Sequence, residues 1–418
     1  MNTTTQYVSS ASGDIISFTA ENQKGGLVGI DSDVTTLKWG IKDNLTMSCF
    51  RIFVLYPDET INYEIPITDI GTGGSYSENY QNGQRRSLSF TLYNYDGKYT
   101  PNINTFWAGT RLRFDMGLKV SDEVIYWFKK GVFIINNITP SMTDSLRTVS
   151  ISAADKFSLF EGATGTLSST YEVPIGTDIQ TIVYDILKTD VGNGFPLDPQ
   201  DLIFHSSFAG KKTQAKISKS AGENLGALLL EIATQLSAEV FYNSQGNLIY
   251  VPINEVTEDN DKPLIYSFET SKGDITQLDF ALDYNSIINR IIVIGNSESN
   301  GTYISDKKND DPASPLCGKR IGYRTGSTIN DSNIYSQVLA DERADYELRQ
   351  VLILKSTTSA SVVFNPFLEV NNIIAISDEF FNLTYERFLL QSVSCSLDFS
   401  NQMSISFSNL NNLPFVVS

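Results

Sequence analysis

Basic charge is what this chain is short of: 31 Lys and Arg stand against 48 Asp and Glu, a formal net charge of −17 at pH 7. A general nucleic-acid binder needs a basic footprint that displaces phosphate counterions, so that class is excluded. The acidity fits plain solubility, and it also fits an acidic wall past which a polyanion slides without sticking. Cysteine is scarce too. Cys49, Cys317 and Cys395 are far apart, odd in number and form no C-x-x-C pair, which argues against a disulfide scaffold and for small buried thiols in a reducing compartment. Histidine occurs once, as His205 in LIFHSSF, with no second His or Cys nearby for a metal set and no G-x-S-x-G elbow before it. The Gly runs GTGGS and GNG lack the Lys-Ser/Thr and helix of a phosphate loop. Acid pairs such as Asp310-Asp311 and Asp341-Glu342 fall in polar loops or on helix surfaces, and nothing marks two inward acids set for glycoside hydrolysis. No catalytic, cofactor-binding or metal residue is assigned, and no enzyme is expected. No run approaches the roughly 18 apolar residues of a membrane helix, and MNTTTQYVSSASGDIISF has neither the basic region nor the apolar core of a signal peptide.

What the chain has is strand-forming material. Its 418 residues include 24 Phe and 20 Tyr, with only 19% charged. That is too long for one ordinary core, so two to four domains are expected, and the composition favours a mainly β protein. Residues 1–45 read as a polar extended arm with a short strand or two, either reaching a neighbouring subunit or fraying. Residues 46–160 carry about seven short strands at turn-punctuated spacing, a first β-barrel-like domain. Residues 161–262 read as a small α+β domain. Thr177-Asp178-Ile179-Gln180 is a capping box before a helix with Ile179, Ile182, Val183, Ile186 and Leu187 on one face. Ser220 and Glu223 open a second helix, a hairpin turns at residues 243–246, and VTEDNDK at 256–262 is the linker candidate. Residues 263–418 read as a second β-barrel-like domain, with an exposed loop over 296–318 and a helix near 331–349 capped by Asp331. The expected fold class is mainly β with α+β, two β-barrel-like domains flanking the helix–hairpin unit.

The densest pattern is RRSLSFTLYNYDGKYTP at 85–101, in which Leu88, Phe90 and Leu92 alternate with Ser87, Ser89 and Thr91 as a half-buried strand requires. Asn94, Asp96 and Gly97 then make a tight turn flanked by Tyr93, Tyr95 and Tyr99, and Pro101 stops the strand. This run, followed by Trp107-Ala108-Gly109, Arg111, Gly117, Gly131-Val132-Phe133-Ile134 and Ser150-Ile151-Ser152-Ala153-Ala154-Asp155-Lys156, resembles the baseplate hub proteins of tailed bacteriophages and the first module of type VI secretion spikes. Matches continue at Ala221-Gly222-Glu223-Asn224-Leu225, at Asn289, Ile291, Val293 and Gly295, and at Asn365-Pro366-Phe367-Leu368, after which Asn371-Asn372 replaces the usual Gly-Asp.

The resemblance implies a homotrimeric ring with two similar β segments per subunit. One face would meet the six-fold tail tube and the other the three-fold central spike, with other baseplate proteins around it and a channel for phage DNA. It implies a virion tail component assembled in the host cytoplasm. The alternatives it leaves are a tail-tip protein that binds a host receptor and a tail-tip peptidoglycan hydrolase. Arg85, Arg86, Tyr93, Asp96, Gly97, Tyr99 and Trp107 are the candidate interface residues. For Arg85 and Arg86 a plain surface position at a strand start is the competing reading, and for the tyrosines local packing around the turn.

Overall fold

The computed structural model describes residues 4–9, 14–22, 47–102, 106–107, 109–119, 124–190, 194–213, 216–236, 238–253, 264–280, 287–298, 301–331, 334–354, 358–398 and 400–409. The N-terminal β segment comprises β1 (Thr4–Ser9), β2 (Asp14–Asn22), β3 (Met47–Leu55), β4 (Ile61–Ile65), β5 (Ser75–Asn79), β6 (Arg86–Tyr93), β7 (Arg111–Lys119), β8 (Val124–Met142) and β9 (Arg147–Asp155). The α+β unit follows, with β10 (Tyr171–Val173), α1 (Ile179–Leu187), β11 (Ile203–Phe204), β12 (Ile217–Lys219), α2 (Leu225–Leu236), β13 (Ala238–Tyr242) and β14 (Leu248–Pro252). The C-terminal part holds β15 (Leu264–Glu269), β16 (Ile275–Phe280), β17 (Arg290–Glu298), β18 (Gly301–Lys308), α3 (Gly318–Ile321), β19 (Ile329–Asn330), α4 (Gln337–Leu354), β20 (Thr358–Val363), β21 (Ile373–Asp378), β22 (Leu383–Ser396) and β23 (Gln402–Asn409).

The mainly β class is as expected, but neither β segment closes into a barrel. Both belong to one 15-stranded sheet whose main path runs β16-β20-β23-β22-β5-β6-β9-β8-β7-β3-β4. The join is the antiparallel pairing of β22 with β5, Ser392 opposite Asn79 through Ser396 opposite Ser75. One apolar core follows the sheet across this join, from Phe50, Leu88, Phe90 and Phe114 to Phe364, Val393, Ile405 and Phe407. The reason is visible in β6, where Leu88, Phe90 and Leu92 are buried while Ser87 is exposed and Ser89 and Thr91 are half-buried. The short strands expected over 46–160 include one that is long, β8, with 19 residues. β8 continues through Gly131, whose φ of +150° accompanies a register shift against β7 between Phe114 and Asp115.

The α+β unit has a separate core built on Ile182, Val183, Ile186, Leu228, Leu229 and Ile232. Its caps differ from those expected by a residue. Asp178, not Thr177, accepts from Thr181 N–H at 2.9 Å, because Thr177 Oγ1 donates instead to the Pro174 carbonyl at 2.8 Å. At α2 Asn224 accepts from Ala227 N–H at 2.7 Å, while Glu223 reaches back to Ser220 N–H at 2.5 Å. Between β16 and β20 sits a small insert of β17, β18, β19 and α4, packed through Ile291, Val293, Ile334, Ala340, Ala344 and Leu348. The exposed loop expected over 296–318 thus contains strand β18, and the helix starts at Gln337, with Ser336 Oγ accepting from Leu339 N–H at 3.2 Å. Asn371 keeps the expected left-handed turn, at φ +65°. The linker expected at 256–262 lies outside the described residues.

Candidate functional site: a buried charged junction

The three parts meet around Arg85 and Arg86, which are only 3% and 1% exposed. Glu78 on β5 stands opposite Arg86 on β6, and their side chains pair at 2.6 Å, with Tyr76 OH donating to the other Glu78 oxygen at 3.1 Å. Arg86 also donates to the Tyr242 carbonyl of the α+β unit. Arg85 pairs with Glu239 on β13 at 2.9 Å and lies 3.5 Å from the Phe241 ring centroid. Glu239 also accepts from Tyr80 OH at 2.5 Å and from Asn371 Nδ2 at 3.4 Å, so one carboxylate touches the N-terminal segment and the C-terminal segment from the α+β unit. Neither expectation for these arginines, an interface contact or a plain surface position, holds: both are buried and their charges are taken up inside the chain.

A second set of buried charges extends the junction. Lys156 is wholly buried between Glu59 at 2.6 Å and Asp198 at 2.5 Å, and Asp198 accepts from Tyr242 OH at 2.6 Å. Arg111 holds the same Glu59 at 2.6 Å and the Leu197 carbonyl at 2.8 Å. Asp155 caps the turn after β9, accepting from Arg85 N–H at 2.7 Å, Arg86 N–H at 2.9 Å and Phe157 N–H at 3.0 Å. Burial outweighs these donors and pushes its carboxyl up to about 6. Burial likewise holds the Tyr76 and Tyr242 hydroxyls well above the ordinary tyrosine range. Each charge has a partner at hydrogen-bond distance, as an arrangement that fixes modules in one relative position requires.

The remaining candidates divide. Tyr99 is buried, stacked on Phe106 at 5.7 Å with its hydroxyl on Asp69, and it anchors the turn. Asn94 Oδ1 accepts from Tyr99 N–H at 2.7 Å and Asp96 Oδ1 from Lys98 N–H at 3.0 Å, with Gly97 at φ +78°. Asp96 and Gly97 are exposed, Tyr93 is half-buried and stacks on Tyr95 at 6.0 Å, and Trp107 is 52% exposed. The sequence reading missed Glu239, Glu78, Lys156 and Asp198. It also missed Phe380, 86% exposed on the β21–β22 turn. His205 is exposed, with Nδ1 2.8 Å from Ser207 Oγ, a local turn contact. Among the described residues no group of three or more His, Cys, Asp or Glu is placed to hold a metal ion.

The fold is similar to that of solved phage tail proteins. The 43 kDa tail protein of prophage MuSo2 from Shewanella oneidensis superposes with a TM-score of 0.59 at 15% identity, over 87% of this chain and 99% of that one. A tail protein from Neisseria meningitidis MC58 gives 0.56 at 12% identity, over 86% and 96%. The chain also aligns with a chain of the Francisella PdpA–VgrG complex at a TM-score of 0.52 and 12% identity, spanning 87% of this chain and 53% of that one. By sequence the chain matches no family model and no curated protein. The resemblance read from the 85–156 motifs is therefore borne out at the level of fold.

Proposed function

We propose that this chain is a structural subunit of a phage tail baseplate, a hub that forms a homotrimeric ring joining the six-fold tail tube to the three-fold central spike. The observation that carries this reading is the fold match with the Shewanella oneidensis prophage tail protein, which covers 87% of this chain and 99% of that one. Supporting it, the single sheet and the charged junction make the subunit stiff, which a symmetry adaptor needs. In this reading the subunit is not an enzyme; it sits in the virion tail after assembly in the host cytoplasm, and Tyr93, Asp96, Gly97 and Trp107 contribute to contacts with the tube, the spike or other baseplate proteins. Phage DNA passes through the ring.

The test is solution mass by native mass spectrometry across a concentration series. Three times the 46.4 kDa of one chain is the expected result. A chain that stays monomeric at every concentration, with and without the spike protein, would overturn the trimeric hub.

A further inference from the structure

Two features of the C-terminal segment are uncovered, and their chemistries are opposite. The first is the turn between β21 and β22, with Phe380 86% exposed at its tip and Tyr385 exposed beside it. The turn is built, not slack. Asp378 Oδ1 accepts from Phe381 N–H at 2.8 Å and Ser377 Oγ from Tyr385 N–H at 3.1 Å. Asn382 and Tyr385 take left-handed φ values of +53° and +51°. A bulky residue such as Tyr385 holds that conformation only where its surroundings impose it. Phe381 anchors the turn on Phe280, ring centroids 4.7 Å apart, and Phe380 stands edge-on to Phe381. From Ser377 to Glu386 the chain has three acids, Asp378, Glu379 and Glu386, and no cation. The turn is an aromatic knob with an acidic rim.

The second feature is the outward side of the insert's sheet. The inward side, with Ile291 and Val293, is packed against α4. The alternate residues of β17 are Arg290, Ile292 and Ile294, and the register sets them against Lys308, Asp306 and Ile304 of β18. Ile292 and Ile294 are half-buried and Ile304 is 52% exposed, which makes an aliphatic strip. The 310–326 loop lies at the cationic end of this strip, where Lys308 Nζ stands 5.5 Å from the centroid of the exposed Tyr323 ring. Asn289, wholly buried, fixes the loop. Its Nδ2 donates to the Leu316 and Gly322 carbonyls at 3.0 and 2.9 Å, and its Oδ1 accepts from Arg324 N–H at 2.7 Å. Between Asp311 and Asp331 the chain has three cations, Lys319, Arg320 and Arg324, and no acid. In a chain of net charge −17 that is a local excess of positive charge.

We infer that the Phe380 knob of one copy docks on the aliphatic strip of the next. Within a single copy the two do not cover each other, since Phe380 and Ile304 both stay exposed. The inference rests on the ring reading above and names the surfaces that meet. Each copy offers its knob to one neighbour and its strip to the other, the head-to-tail arrangement that closes a ring. A projecting aromatic on an aliphatic surface gives the contact a desolvated centre, and rims of opposite sign orient it. Both surfaces are fixed before they meet, so docking loses little conformational entropy.

The test is the mass measurement on full-length variants, over a concentration series at low salt. F380S removes the knob without changing charge. E379K/E386K reverses the acidic rim, and K319E/R320E reverses the cationic one. Each is expected to raise the concentration at which half the chains are in trimers by about tenfold or more. Joining the two reversals in one chain restores opposite signs on the surfaces that meet. That variant is expected to return to within about threefold of wild type. A wild-type trimer that none of these variants weakens would overturn the contact and leave the ring reading standing. Weakening by both reversals with no recovery on joining them would also overturn it, because the two surfaces would then not meet each other. Failure of the ring reading is separable: wild type itself would be monomeric at every concentration. If a reversal disturbs the circular dichroism spectrum, F380S, a change at an exposed tip, decides alone.

Discussion

Removing the carboxylate of Glu239 should weaken the grip of the α+β unit on the sheet. In E239A the Arg85 guanidinium, 3% exposed, loses its carboxylate partner at 2.9 Å, and Tyr80 OH and Asn371 Nδ2 each lose an acceptor. Breaking one side of a buried ion pair costs about 3–5 kcal/mol. Arg85 keeps the Gln81 carbonyl at 2.6 Å and the Phe241 ring face, so the lower end, about 3 kcal/mol, is expected. E239Q keeps an acceptor and should cost about half as much, ~1.5 kcal/mol. R85M/E239M removes both charges and should cost less than the two single Met substitutions added together, because no buried charge is stranded. The assay is urea unfolding followed by two probes. Trp39, Trp107 and Trp127 all precede the α+β unit, so their fluorescence reports the N-terminal segment, while helical ellipticity is weighted to α1, α2 and α4. The two transitions should coincide in wild type and separate in E239A, with the helical signal lost first. A cost below about 0.5 kcal/mol with additive double-mutant energies would refute the junction as the element that holds the parts together.

Three further outcomes are expected. A Cβ on Gly117 would stand 2.7 Å from the Trp127 ring, so G117A should cost about 1–3 kcal/mol and shift tryptophan emission; an unchanged melt and spectrum would show that the ring moves aside freely. Asp155, raised to about 6 from its ordinary 3.8, binds more protons folded than unfolded between those values. Its contribution to stability is therefore complete below pH 3.8 and lost as pH rises through 6, and wild type should gain about 1 kcal/mol relative to D155N on going from pH 7 to 5; no difference in that pH dependence would refute the shift. Cys317 and Cys395 are buried, the latter with its thiol pushed up to about 12 by burial, so at pH 8 a thiol-disulfide reagent should modify no more than Cys49 before urea and all three thiols after it; rapid loss of two thiols in the native protein would contradict the burial.

Much of the fold was legible where one physical rule acted alone. The period of two in β6 and the apolar faces of α1 and α2 were readable because neighbouring residues supply the whole signal. The misses came where distant partners decide. Arg85 and Arg86 look like a surface cluster because nothing local reports Glu239, 154 residues away from Arg85, and in a strand two consecutive residues face opposite ways without either needing to be exposed. Strand β18 was hidden because GTYISDKK is mostly polar, with only Tyr303 and Ile304 apolar, and it is a strand because β17 pairs with it and α4 covers it. Nor does the sequence show that Ser77, Ser87, Ser394 and Ser404 stand side by side across four adjacent strands, since they are far apart in the chain and only the register brings them together.

The strand that matters most was also the one most disguised. SYSEN at β5 has a half-buried serine, an exposed serine and an inward glutamate, so its sequence carries no plain strand signal. Its alternation is real but inverted. Tyr76 and Glu78 face inward, where Glu78 meets Arg86, and Ser75 and Ser77 face outward beside Ser89 and Ser87. An ordinary surface strand is apolar within and charged without; β5 carries its charge inside and neutrality outside. The inward half of that inversion fits the strand's place in the sheet: a strand that joins two β segments gains from an ion pair that fixes their position and is shielded from salt by burial.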